Sequence, residues 1–161
     1  MKAVCPPLAF CALIVALSLS LSLSLPAAAA APKYFPHPVP ANTPPAPFSD
    51  AVLTGDTLYV AGHLGLDPAT GNAAADADAE ARLMLDAVRH TLESGGMHMD
   101  DLVSVTVFCT DLKLYDRFNT IYRGYFRASY PARAFIGVDK LVRGARFELQ
   151  GIAVRSRGVS R

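Results

Sequence analysis

Between residues 78 and 94 the apolar side chains Ala81, Met84, Leu85, Val88 and Leu92 recur at steps of three and four; from 102 to 109 apolar and polar residues alternate instead. The first period is that of a helix with one buried stripe, the second that of a strand with one buried face. Gly95-Gly96 stands between them, where a helix C-cap belongs. A chain that changes period this way lays helices on a sheet. Upstream, runs at 51–54 and 58–62 are joined by Gly55-Asp56 and read as a hairpin, and 67–71 reads as a turn. Downstream, a second helix is predicted over 114–128, with Tyr115, Phe118, Tyr122, Tyr125 and Phe126 along one stripe, ending before Pro131. Strands over 133–138 and 145–154, parted by a loop with Gly144, close the pattern. The order β-β-α-β-α-β-β predicts an α/β fold, a mixed sheet with two helices on one face. The other face is left bare unless another subunit covers it.

The front of the chain belongs to a different class of segment. Residues 8–25 are small and apolar, Lys2 supplies a positive start, and Pro26 is followed by five alanines. Residues 1–30 are therefore expected to be a secretory signal cleaved after Ala29 or Ala30, giving an exported protein, periplasmic or secreted, with no further membrane association. Seven prolines between 32 and 47 make residues 31–46 an extended leader onto a domain at 47–155, with a tail at 156–161. Without Lys2, the 15 basic and 14 acidic residues of the whole chain become equal in number. A near-neutral domain with scattered Lys and Arg argues against a nucleic-acid partner. Cys5 and Cys11 leave with the signal, so Cys109 is the only remaining thiol and no internal disulfide is expected.

Patterns for bound cofactors are missing. His37, His63, His90 and His98 form no ligand spacing, and neither a phosphate loop nor a dinucleotide fingerprint occurs, so neither metal nor cofactor is expected. Cys109 continues the valine face of a strand and reads as a small buried hydrophobe. Two charges stand out. Arg133 follows Pro131-Ala132 at a strand start, and Glu148 interrupts the last apolar strand, where alternation groups it with Arg146, Gln150, Ile152 and Val154. From spacing alone either can be a plain surface charge, and the polar-then-apolar face that carries Glu148 reads more readily as a solvated edge than as a functional site.

Several pieces, in order from about residue 45 to 154, resemble the Rid/YjgF family of reactive-intermediate deaminases, also called endoribonuclease L-PSP. They are Pro47-Phe48-Ser49-Asp50-Ala51-Val52, the run from Leu58-Tyr59-Val60-Ala61-Gly62-His63 to Asp67-Pro68, and Val105-Thr106-Val107-Phe108-Cys109-Thr110-Asp111-Leu112. Asn119-Thr120-Ile121-Tyr122, Tyr125-Phe126, Pro131-Ala132-Arg133, Glu148 and Ile152-Ala153 follow. The resemblance implies a chorismate-mutase-like homotrimer with ligand clefts between subunits. It further implies hydrolysis of an enamine or imine derived from an amino acid to a 2-keto acid and ammonia. Arg133 would then bind the carboxylate of a small metabolite, Glu148 would activate water, and Gly62 and Asn119 would line the pocket. The chain departs from many deaminating members at the pocket positions Phe48, Ala61 and Phe135, and at His63, where Tyr, Ser, Cys and Gln respectively are usual. Fewer hydroxyl and thiol groups imply a more apolar pocket. These departures leave two alternatives open: a non-catalytic binder of small carboxylates in the cell envelope, and the ribonuclease activity assigned to some relatives.

Overall fold

The structure, a computed structural model, describes residues 30–127 and 129–156. Six strands form one sheet in the order β1-β2-β3-β6-β4-β5: β1 Lys33–Pro36, β2 Ser49–Thr54, β3 Thr57–Leu64, β4 Leu102–Cys109, β5 Ala132–Gly137 and β6 Phe147–Val154. Helices α1 (Ala77–Ser94) and α2 (Tyr115–Arg123) are the two predicted ones. Only β4 and β5 pair in parallel, and α2 is the crossover between them. The last strand enters the middle of the sheet, between β3 and β4. Every pairing it makes is therefore long-range.

The predicted hairpin forms with a two-residue loop, and Gly55 takes a φ of 56° there, which a side chain would resist. Asp76 caps α1, its Oδ2 accepting from the N–H groups of Asp78 and Ala79 at 3.0 Å. From that cap, Met84, Leu85, Val88 and Leu92 run fully buried against Leu58, Val105, Val107 and Leu149 of the sheet. Each such side chain contributes about 1.5–3 kcal/mol of transfer free energy. On α2, Phe118 is 5.0 Å from Phe147 and 5.4 Å from Phe135, ring centre to ring centre. Both helices thus seal the same face.

Three boundaries differ from the sequence expectation. The leader is not a free arm: its Lys33–Pro36 segment pairs with β2 as an edge strand, where proline's missing N–H does no harm. Helix α2 ends at Arg123, five residues before the predicted end, though Tyr125 and Phe126 still pack on the core from the following turn. Strand β6 starts at Phe147, so Arg146 leaves the face on which alternation grouped it with Glu148 and reaches α1 instead. There it meets Glu80, which is fully buried: Arg146 Nη1 donates to Glu80 Oε2 at 2.6 Å and Phe147 N–H to Oε1 at 2.9 Å. Two further Arg146 donors close on the carbonyls of Ala74 and Ala75.

The second face of the sheet carries no helix. Across it the register lines up Tyr34, Val52, Tyr59 and Ile152, with Tyr34 63% and Tyr59 49% exposed. Residues 1–29 of the expected signal and the final five residues lie outside the described residues. Among the described residues no helix is long and apolar enough to cross a membrane.

Candidate active site

Arg133 lies near the start of β5, the parallel edge strand, one residue after the Pro131-Ala132 lead-in. Its strand position directs it to the helix-covered side, where Val105 opposite it is buried. Arg133 Nη2 donates to Asn119 Oδ1 at 2.7 Å, which fixes the guanidinium plane against α2 and leaves its other N–H groups uncommitted. The ring of Tyr122 lies 4.6 Å below it, and Tyr115, Phe118 and Phe135 stand within about 6 Å. A cleft of about 360 Å³ opens over the group, lined by Tyr115, Asn119, Tyr122, Arg123, Tyr130 and Arg133, with Pro131 at its rim. Two arginines and no carboxylate face this space, so it selects for anions. Phe135 does not line it; the ring is wedged edge-on against Tyr115 and Phe118, behind the arginine.

The aromatic stripe of α2 is read from sequence as core. Phe118 fits that reading, whereas Tyr115 is 43% exposed and Tyr122, although buried, forms a wall of the cleft. Burial pushes the Tyr122 phenol up to about 12 against the opposing pull of Arg133, so it stays neutral. The spacing from Asn119 to Tyr122, one turn along the same helix face, is the signal that both would meet Arg133.

Glu148 belongs to a second cluster. Its neighbours Phe147 and Leu149 are buried under the helices, so Glu148 points out of the uncovered face. It pairs with Phe108 on one side and Leu64 on the other. Gly62 lies against it: a Cβ there would come within 2.0 Å of Glu148 Oε1. The β3–β6 register slips between Val60 and His63, and this irregularity brings Gly62 under the carboxylate. Ala61 shares the irregularity. His63 turns the other way, its Nδ1–H donating to the Ala61 carbonyl while Nε2 accepts from the buried Thr91 hydroxyl, each at 2.8 Å. It buttresses α1 and does not replace a lost pocket donor.

Phe48 occupies a third position, just before β2, 53% exposed and 5.1 Å from the ring of His37. The predicted residues thus fall into an arginine cluster of Arg133, Asn119 and Phe135, a carboxylate cluster of Gly62 and Glu148 beside Ala61, and Phe48 apart. Within one chain, Arg133 and Glu148 lie on opposite faces, two strands apart and three residue steps along the sheet. Their backbones are roughly 14 Å apart by strand spacing.

Cys109 is buried, its thiol donating to the Asp111 carbonyl at 3.2 Å, and burial raises its pKa, so the thiolate form is disfavoured. Among the described residues no group of His, Cys, Asp and Glu could hold a metal ion.

Comparison with known proteins bears on this arrangement. The profile of the family described as Endoribonuclease L-PSP matches residues 40–155. The chain is 37% identical over 110 residues to the 2-iminobutanoate/2-iminopropanoate deaminase of Bos taurus, covering 68% of this chain and 80% of that one. It is similar to the Escherichia coli TdcF structure with bound serine, at a TM-score of 0.68 and 31% identity, over 77% of this chain and all of TdcF. The Escherichia coli YjgF structure gives a TM-score of 0.65 and 34% identity over 68% of this chain and 89% of that one. With more than half of its length matched and relatives above 30% identity covering two thirds of it, this chain belongs to the Endoribonuclease L-PSP family, the YjgF/Rid proteins.

Proposed function

We propose that the protein is a hydrolytic deaminase of small 2-imino acids, releasing ammonia and a 2-keto acid. The observation that carries this reading is Arg133: its guanidinium plane is fixed by Asn119 and backed by aromatic rings, with free donors facing a cleft that holds no carboxylate. A planar fork of donors matches a carboxylate in two parallel hydrogen bonds, which a lysine does not reproduce. The names of relatives such as the bovine 2-iminobutanoate/2-iminopropanoate deaminase agree with this chemistry. Glu148 takes the proton of the attacking water, a contribution on the order of 10²–10⁴-fold.

The two clusters act on one substrate only if they belong to different copies of the chain, because Arg133 and Glu148 face opposite sides of the sheet. The row of exposed Tyr34 and Tyr59 with half-buried Val52 and Ile152 supports a homo-oligomer in which the uncovered faces pack together, and a homotrimer is the assembly proposed here. In that assembly Arg133 of one copy approaches Gly62 and Glu148 of the next.

The test is ammonia release from freshly generated 2-iminobutyrate or 2-iminopropionate. The protein is expected to accelerate it, Arg133→Ala to lower kcat/KM by about 10²-fold through loss of the charge-assisted pair, and Glu148→Gln to lower kcat with KM little changed. Equal rates with and without protein would refute the reading.

A further inference from the structure

A second ionisable pair stands on the same face and at the same end of the sheet as Glu148. In β2, Ala51 and Leu53 pack into the core, so Asp50 points out of the uncovered face, as Glu148 does from β6. Asp50 comes one residue before the Ala51–Val60 pairing, which sets it level with the irregularity of β3 where Gly62 lies under Glu148. Gly62, without a side chain, lets the Glu148 carboxylate lie over β3, the strand between β6 and the β2 of Asp50. The backbones of Asp50 and Glu148 are roughly 12 Å apart, two strands across and a few residues along.

Asp50 does not stand alone. His37, just beyond β1, donates from Nδ1–H to Asp50 Oδ1 at 2.8 Å, and its ring lies 5.1 Å from Phe48, tilted at 36°. The carboxylate fixes the tautomer and the phenyl ring fixes the plane, so Nε2 is the free nitrogen; it makes no hydrogen bond among the described residues. Among the strand residues, Glu148 is the other charged group that the pairing places at this end of the uncovered face. Such a carboxylate-oriented imidazole is how proton-transfer catalysts are commonly built.

We propose that His37, positioned by Asp50 and Phe48, is the proton donor of the site whose base is Glu148. This rests on the imine-hydrolysis reading and adds to it the group that handles the nitrogen. Glu148 takes one proton of water as its oxygen bonds to the imine carbon; the C=N pair moves to nitrogen, which takes the Nε2 proton of His37 imidazolium. The resulting carbinolamine nitrogen takes the proton back from Glu148. The C–N bond then breaks with its electrons leaving on ammonia, while the hydroxyl proton returns to His37 Nε2 as the carbonyl forms. Both side chains end as they began.

The experiment compares the purified protein with His37→Phe, His37→Gly and Asp50→Asn in the ammonia-release assay. His37→Phe keeps a ring against Phe48 and is expected to lose about 10²-fold in kcat, with KM little changed. His37→Gly is expected to lose as much and to regain at least about tenfold with added 4-methylimidazole, which His37→Phe does not. Asp50→Asn, a positioning change, is expected to lower kcat less than either and to gain nothing from the additive. Full activity in His37→Phe, or loss in His37→Gly that 4-methylimidazole leaves untouched, overturns the proposal while the deaminase reading stands. A wild-type protein no faster than buffer overturns both.

Discussion

The residues that matter most here are defined by what lies directly against them. Gly62 is the clearest case, because a Cβ at that position would collide with Glu148 Oε1 at 2.0 Å. Gly62→Ala should therefore displace the carboxylate while the fold persists, since the colliding atom is the end of a flexible side chain. The expected result is a loss of about tenfold or more in kcat with a melting temperature within a few degrees of wild type. Unchanged kcat would mean that the carboxylate does not act from this position. Arg133 and Glu148 were both visible as candidates in the sequence, one behind Pro131-Ala132 and one inside an apolar strand. Tyr122 was not, because an aromatic stripe has the same spacing whether it fills a core or walls a cleft, and only the place of Arg133 across the β4–β5 pairing decides between them. His37 sits in a proline-rich stretch that carries no periodic signal, and its partner Asp50 is 13 residues away.

Among the elements, α1 and β4 were legible because each changes the local period of the chain and each is capped or bounded by its own residues. Strand β1 was not legible, since prolines mask strand propensity and only pairing with β2 reveals it. The first turn of α1 holds the other missed feature. Glu80 falls on the same stripe as Ala77, Ala81 and Met84, and a charge on an apolar stripe is a signal for a buried partner. That partner is Arg146, tying α1 to the start of β6. Glu80→Ala leaves the Arg146 guanidinium and the Phe147 N–H without their acceptor. It should destabilise the protein by about 3 kcal/mol in a denaturant titration. A change below about 0.5 kcal/mol, the level of an ordinary surface substitution, would show that the pair is replaceable by water.

At the scale of the whole molecule, the mixed sheet with two helices on one face follows from the count of periodic segments: two helices seal one face and leave the other exposed. What the pattern could not give is which face each charge takes after register slips and strand ends are set. The structure sends Arg133 to the covered face and Glu148 to the open one. On the proposed reading a single chain carries two half-sites, which meet between copies. Mixing Arg133→Ala and Glu148→Gln proteins measures this directly. Each variant alone is expected to be nearly inactive. After joint unfolding and refolding in equal amounts, random assembly gives about one site in four an intact arginine from one copy and an intact glutamate from its neighbour. Activity returning to roughly a quarter of wild type is the predicted result; activity no higher than the two variants measured apart would contradict a site shared between subunits.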